Sequence, residues 1–255
     1  MISYKPMSDK PSVRSPWFWV PSLYFAQGIP YVAVMIVSVL MYKRLGVSNT
    51  DIALYTSWLN LPWVIKPFWS PFVDLLKTKR WWVVTMQLLI GAGLAGVAFT
   101  IPTTFFFQAS LAVFWLLAFS SATHDIAADG FYMLALDSHE QAFFVGIRST
   151  FYRIAIIAGQ GVLVMFAGFL ENSTGNIPLA WSVTFFILGG LFLALFLYHR
   201  YILPLPKGDK PSATVTPSTI LKEFFATFAS FFKKKQAFVA ILFMLLYRKP
   251  SWLNW

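Results

Sequence analysis

Long apolar runs separated by short polar turns make up most of this chain. Uncharged or nearly uncharged segments fall at 17–42, 52–73, 81–101, 105–133, 143–170 and 178–199, and another begins at Gln236 and breaks off after Tyr247. A bilayer core requires about 20 residues of helix, and each of the six complete runs reaches that length. The runs are continuous rather than alternating, so they predict helices, which satisfy their own backbone in lipid, and not the strands of a membrane barrel. The expected fold class is an all-α polytopic membrane protein with six transmembrane helices and the opening of a seventh. Lys5, Lys10 and Arg14 precede the first run much as they would in a secretory leader. That run continues to about Tyr42 without a small-residue exit, so it predicts a retained span.

Composition points the same way. The 255 residues are 58% hydrophobic and 12% charged, with a mean hydropathy of +0.64. A soluble domain cannot bury that much apolar surface. The net charge of +10 raises the question of a nucleic acid partner. The basic residues, however, cluster between apolar runs instead of lining one polar face, so no nucleic acid partner is expected and they are read as topology determinants. There is no cysteine, which removes disulfide and thiolate chemistry. No cofactor is expected.

Counting Lys and Arg on alternate sides of the spans sets an orientation. The N-terminal arm, the turn with Lys77, Lys79 and Arg80, Arg148, and the segment from Arg200 through Lys233, Lys234 and Lys235 share one side, against Lys43 and Arg44 on the other. The positive-inside rule then places the N-terminus in the cytoplasm. The expected division is a cytoplasmic arm at 1–16, a six-helix transmembrane repeat at 17–199, a cytoplasmic linker at 200–235 and the start of a second transmembrane half at 236–255. Within the linker, Thr216 and Pro217 mark the start of an amphipathic helix carrying Phe224, Phe225, Phe228, Phe231 and Phe232. It either lies on the inner leaflet or packs on the bundle. Six spans followed by a long basic linker is the layout of half of a twelve-helix transporter.

Ionisable side chains within spans are costly, and each is therefore a functional candidate. Asp125 and Asp129 on helix four stand four residues apart and share a face. Two carboxylates at that spacing repel, so one can retain a proton near neutral pH, as proton coupling requires. The alternative is an early helix end with both solvated at the cytoplasmic mouth. Helix rise places Asp129 level with Arg148 and Asp125 level with Arg153, predicting an Asp125–Arg153 pair; otherwise the arginines snorkel to the interface. Lys66 lies in Leu61-Pro62-Trp63-Val64-Ile65-Lys66-Pro67-Phe68-Trp69-Ser70-Pro71, whose three prolines suit a helix bordering a water-filled path. There Lys66 either meets an anionic substrate group or snorkels outward. Pro30 after Gly28 predicts a bend in helix one near Tyr24 and Gln27, two hydrogen-bonding groups for a polar solute.

The run Lys66-Pro67-Phe68-Trp69-Ser70-Pro71-Phe72-Val73-Asp74, the segment Thr123-His124-Asp125-Ile126-Ala127-Ala128-Asp129-Gly130 and Tyr152-Arg153 resemble the AmpG-like anhydromuropeptide permeases of the major facilitator superfamily, which are related to acetyl-coenzyme A transporters. The resemblance covers nearly the whole chain. It implies a proton-driven carrier of cell-wall sugar-peptide fragments in the bacterial cytoplasmic membrane, with protons, a small solute and lipid as partners. It also adds His124 to the substrate or charge-pair candidates and gives Asp74 a gating role. Ser70 replaces the usual glycine and Leu75 the usual arginine. Members have about twelve spans, so the expectation is a truncated chain, inactive alone or working with a separate C-terminal half. The rivals are a non-transporting six-helix fragment and a membrane-bound magnesium-dependent prenyltransferase-type enzyme. The enzyme needs a second acidic cluster to complete the metal site, and the sequence has none.

Overall fold

A computed structural model of the chain describes residues 15–206, 208–210 and 226. The N-terminal arm before Ser15, the amphipathic linker helix and the start of helix seven lie outside those residues. Among the described residues, five helices are long and apolar enough to cross a membrane. They are α1 (Pro16–Arg44), α3 (Lys79–Thr100), α4 (Phe106–Ala135), α5 (Ser138–Thr174) and α6 (Ile177–Ile202).

The second expected span, α2 at 49–76, is a broken helix. It comprises Asn49–Thr56, a 3₁₀ turn at Ser57–Asn60, a single turn at Leu61–Val64 and a final segment at Lys66–Leu76. Pro62 and Pro67 each fall in the first turn of a new segment, where the missing N–H costs nothing, and Ile65 leaves helical geometry between them. The last three pieces all pack against α4, so α2 still runs beside that helix as one broken rod. Helix five begins earlier than its apolar run. Asp137 accepts the Glu140 amide at 2.9 Å, while the Glu140 side chain accepts the Asp137 amide at 3.1 Å. This reciprocal cap starts the helix while the chain is still polar.

Helix α3 packs between α4 and α6, and α1 packs on α5 and α4. Both partners in the α1/α5 contact depart from regular geometry at the same level. A π-turn at Ala33–Val37 follows Pro30, another occupies Gly159–Leu163, and the two touch. The irregularity expected after Pro30 is therefore a widened turn, the form a helix takes where an amide has lost its usual acceptor spacing.

Buried apolar side chains form two clusters. One, including Val37, Met41, Ile90, Leu94, Phe114 and Phe185, fills the end of the bundle near the 45–48 and 101–105 turns. The other, including Trp19, Leu23, Val83, Phe131 and Leu203, fills the end near the 77–78 and 136–137 turns, called here the basic end. At the first of these ends the Arg44 guanidinium forks onto Glu171, which also accepts the Trp181 indole N–H at 2.7 Å. This cluster ties α1, α5 and α6 together. At the basic end, Asp209 accepts the backbone amides of Lys79 and Arg80 at 2.6 and 3.0 Å, and Thr78 accepts that of Trp81. The chain after α6 thereby folds back as a cap on α3, using the exposed amides that every helix N-terminus presents.

The α1/α5 contact depends on Gly28, where a Cβ would stand 2.8 Å from the Tyr152 carbonyl oxygen and 2.7 Å from the Ala155 Cβ. Neither atom can swing away. Gly28→Val is expected to cost about 1–3 kcal/mol, read as earlier thermal unfolding in detergent, whereas Gly161→Ala, which enters open space, leaves the midpoint in place. Equal midpoints for the two variants would refute this contact.

Candidate polar site in the bundle core

A layer of polar side chains separates the two apolar clusters. On α4 the first cluster ends at Ala118 and the second begins at Ala127, and Ser120, Ser121, His124 and Asp125 lie between. Gln87 occupies the same interval of α3 and Lys66 that of α2, while on α1 Gln27 stands three residues past Tyr24 of the second cluster, between Ala26 and Ile29 of the first. At 1.5 Å per residue, Asp125 is about 15 Å from the basic end of α4 and well inside an apolar slab.

Lys66 opens the final segment of α2, and the break at Ile65 aims its stem at α4. Its Nζ donates to Asp125 Oδ2 at 2.6 Å. The Asp125 side chain is 9% exposed and that of Lys66 28%, so the ammonium bridges from a wetter edge into the protein. The second carboxylate oxygen, Asp125 Oδ1, has no hydrogen-bond partner among the described residues, and neither do Gln27 Oε1, Ser121 Oγ and His124 Nδ1. Buried polar atoms are almost always paired, so the Gln27, Ser121 and Asp125 atoms left over on α1 and α4 set this layer apart, with His124, Trp19, Trp63, Trp69, Trp82 and Ser182 supplying the other unpaired buried atoms among the described residues.

One turn nearer the basic end, Asp129 forms a second pair. Arg148 on α5 donates to Asp129 Oδ1 at 3.3 Å and to the Tyr24 hydroxyl at 3.0 Å, and that hydroxyl donates to the same carboxylate oxygen at 3.0 Å. The guanidinium also lies over the Tyr24 and Tyr132 rings, at 5.2 and 5.0 Å from their centroids. These cation–π contacts hold the arginine even where its ion pair is half-exposed. The two aspartates thus face different cations on different helices.

The expected Asp125–Arg153 pair is not formed. Arg153 does lie at the height of the polar layer, between Phe151 and Ala155, but on an exposed part of α5. Lys66 takes its place because the α2 break carries the ammonium straight to α4. Asp129 and Arg148 meet, as their matched depths imply. Asp74 pairs with Lys79 across the turn between α2 and α3 at the basic end, well away from Asp125. The Lys79 stem lies over Gly130, where a Cβ would approach its Cε to 2.9 Å, a contact the flexible lysine end can relieve by shifting.

His124, one residue before Asp125 and so about 100° around the helix, points into a different network. The Gln87 amide nitrogen lies 3.0 Å from His124 Nε2, Gln87 Oε1 lies 3.0 Å from His199 Nδ1, and His199 Nε2 lies 3.0 Å from Ser22 Oγ. With the Gln87 amide nitrogen donating to His124 Nε2 and Gln87 Oε1 accepting from His199 Nδ1, the His124 Nδ1 is left without a partner among the described residues. His124, Gln87 and His199 are fully buried and join α4, α3 and α6. Sequence reasoning missed Gln87, His199, Ser22 and Glu171. The available signal was an amide or ionisable group standing alone within an apolar run.

Both helix-four carboxylates are held by cations of the chain itself, whereas magnesium binding would need them clear of ammonium and guanidinium groups. Among the described residues, no three His, Asp or Glu side chains converge.

The chain matches the BT1 family over residues 25–249. It is 24% identical over 234 residues to the anhydromuropeptide permease of Escherichia coli (strain K12), covering 89% of this chain and 44% of that protein. It is 27% identical over 245 residues to putative transporter AmpG 4 of Rickettsia conorii, covering 89% and 54%. An uncharacterized protein of Schizosaccharomyces pombe is 28% identical over 145 residues, 51% of this chain and 28% of that one. The chain spans about half the length of the curated relatives it matches.

The pairing of Lys66 with Asp125 predicts strong non-additivity. Lys66→Gln and Asp125→Asn each leave one buried group unpaired, so each should lower the unfolding midpoint more than the double variant does, with a coupling of about 1–3 kcal/mol. A double-mutant cycle by thermal unfolding in detergent measures it, and additive losses would refute the pair.

Proposed function

The chain belongs to the BT1 family, and from that premise we propose that its six-helix unit forms one half of a secondary transporter whose solute path runs beside Lys66, Asp125, Asp129 and Arg148. The observation carrying this reading is the stacking of two ion pairs one turn apart on α4, each reaching to a different helix. Protonation of Asp125 removes the charge that holds Lys66. The ammonium is then available to an anionic group of the solute, and loss of the proton returns it to the carboxylate. The Asp125 carboxylate and the solute thereby compete for one cation, and protonation of the carboxylate favours the solute, which is a sufficient basis for coupling. Asp129 and Arg148 repeat the exchange nearer the basic end, with Tyr24 bridging them.

The name of the Escherichia coli relative favours anhydromuropeptides or a similar anionic sugar-peptide as the solute. Gln27, Ser121 and the free oxygen of Asp125 offer the hydrogen bonds such a molecule needs. A six-helix unit covering about half of its relatives supports a pathway completed by a second half. Asp74 paired with Lys79 serves as a gate at the basic end, and in this reading that end faces the cytoplasm of a bacterial cell. Arg153, level with Asp125 and exposed, is a further contact for solute.

The test is uptake of labelled anhydromuropeptide by cells producing the chain, alone and with a separately encoded second half. Uptake should require a proton gradient, and Asp125→Asn should lower it at least tenfold. Uptake that stays pH-dependent and unchanged in both the Asp125→Asn and Asp129→Asn variants would overturn the coupling mechanism. Orientation is checked independently, because the chain has no cysteine of its own. A cysteine at Lys77 should react with a membrane-impermeant maleimide only after the cells are opened, and one at Lys43 in intact cells. The reverse pattern would invert the topology.

A further inference from the structure

At the end of the bundle opposite the basic end, the seam between α2 and α4 holds a pocket of about 450 Å³. Asp51 and Tyr55 of α2 line it together with Phe107, Gln108, Leu111 and Trp115 of α4. Trp115 stands ten residues before Asp125, which is about 15 Å along α4 and about a quarter turn around it. The pocket is therefore separate from the Lys66–Asp125 pair and independent of the transport reading. We propose that it binds a primary ammonium group carried on an organic chain, with Asp51 as the counter-ion.

Charge is the first reason. The lining contains one carboxylate and neither lysine nor arginine. The cations described at this end are engaged elsewhere: Lys43 donates to Asn49 Oδ1 at 2.6 Å, and Arg44 is forked onto Glu171. Asp51 Oδ2 accepts the Ser48 hydroxyl at 2.6 Å, and Ser48 Oγ accepts the Asp51 amide at 3.1 Å, so the carboxylate is fixed against the start of α2. Its Oδ1 takes no hydrogen bond among the described residues. An ammonium placed there forms a charge-assisted bond with Oδ1. It has two further N–H groups to donate, and the Gln108 amide oxygen and the Tyr55 hydroxyl are acceptors in the same lining.

The second reason is the shape of the aromatic wall. The Tyr55 and Phe107 rings meet at 78° with their centroids 5.7 Å apart, which makes a corner. Trp115, stacked on Phe119 at 6.0 Å, stands two turns deeper. Ring faces attract cations, so aromatic walls around a carboxylate select an organic ammonium over an anion. A metal ion would instead need several oxygen ligands. Leu111 supplies an apolar surface for the carbon stem. Asp51 and Gln108 lie in the first turns of their helices, and Tyr55 is 44% exposed, so the pocket opens where headgroups meet water. Both a lipid aminoethyl headgroup and a dissolved amine reach that level.

The experiment uses the purified full chain in neutral detergent. Saturation-transfer NMR follows the binding of butylammonium, with butanol as the neutral isostere and empty micelles as the blank. Native mass spectrometry compares retention of phosphatidylethanolamine and phosphatidylglycerol. Butylammonium should bind in preference to butanol. Asp51→Asn, which keeps an acceptor for Ser48, should weaken that binding by about tenfold or more, the worth of one charge-assisted hydrogen bond. Tyr55→Leu should weaken it as well, and it carries the test should Asp51→Asn fail to fold. Retention of phosphatidylethanolamine that depends on Asp51 assigns the ammonium to a lipid headgroup, whereas Asp51-dependent butylammonium binding without such retention assigns it to a dissolved amine. Equal binding of butanol, or butylammonium binding undiminished in the folded variants, would overturn the proposal.

Discussion

Inside a bilayer there is no water to complete a hydrogen bond, so each polar group carried into the bundle must find its partner within the chain. That constraint accounts for most of what is irregular here. The prolines of α2 interrupt its backbone, and the interruption is tolerated where the helix runs against α4. The same break presents Lys66, and Asp125 receives it. Away from that site, Gln87 is matched on both sides by imidazoles, and Glu171 by a guanidinium and an indole. Such bonds contribute modestly one by one in a membrane, about 0.5–2 kcal/mol each. Together they specify which helices meet and at what height.

Few polar atoms escape this matching, and most of those in the central layer surround Asp125. Gln27, Ser121 and Asp125 itself each leave one buried atom unpaired there, while the other unpaired buried atoms are mostly indole nitrogens, those of Trp19, Trp63, Trp69 and Trp82. A fold built only for stability gains nothing from such atoms. In the proposed transport reading, those atoms are the groups that would replace water around a solute beside the Lys66–Asp125 pair. The two π-turns of α1 and α5 lie close by, where helices accommodate strain for functional reasons.

The basic end combines capping with charge placement. Asp209 neutralises the amide end of α3, Asp74 engages Lys79, and the Lys79 stem crosses Gly130 into α4. Acidic groups are used there as structural partners, and Arg80 in turn donates to the Leu203 and Arg200 carbonyls, tying α3 to the end of α6.

The amino-acid sequence by itself determined the all-α membrane class, the positions of the spans and the depth of each ionisable residue, because hydropathy and the fixed rise of a helix are local properties. It showed that Asp129 and Arg148 stand level and that Arg153 stands level with Asp125. Depth leaves rotation about the helix axis and the identity of the neighbouring helix undetermined. Only the tertiary structure decided that Asp125 turns to Lys66 on broken α2 and not to Arg153, that His124 turns away to Gln87 and His199, and that Asp209 returns across more than a hundred residues to cap α3. Each of those choices depends on which helices pack together, and packing joins residues that no local period in the sequence connects.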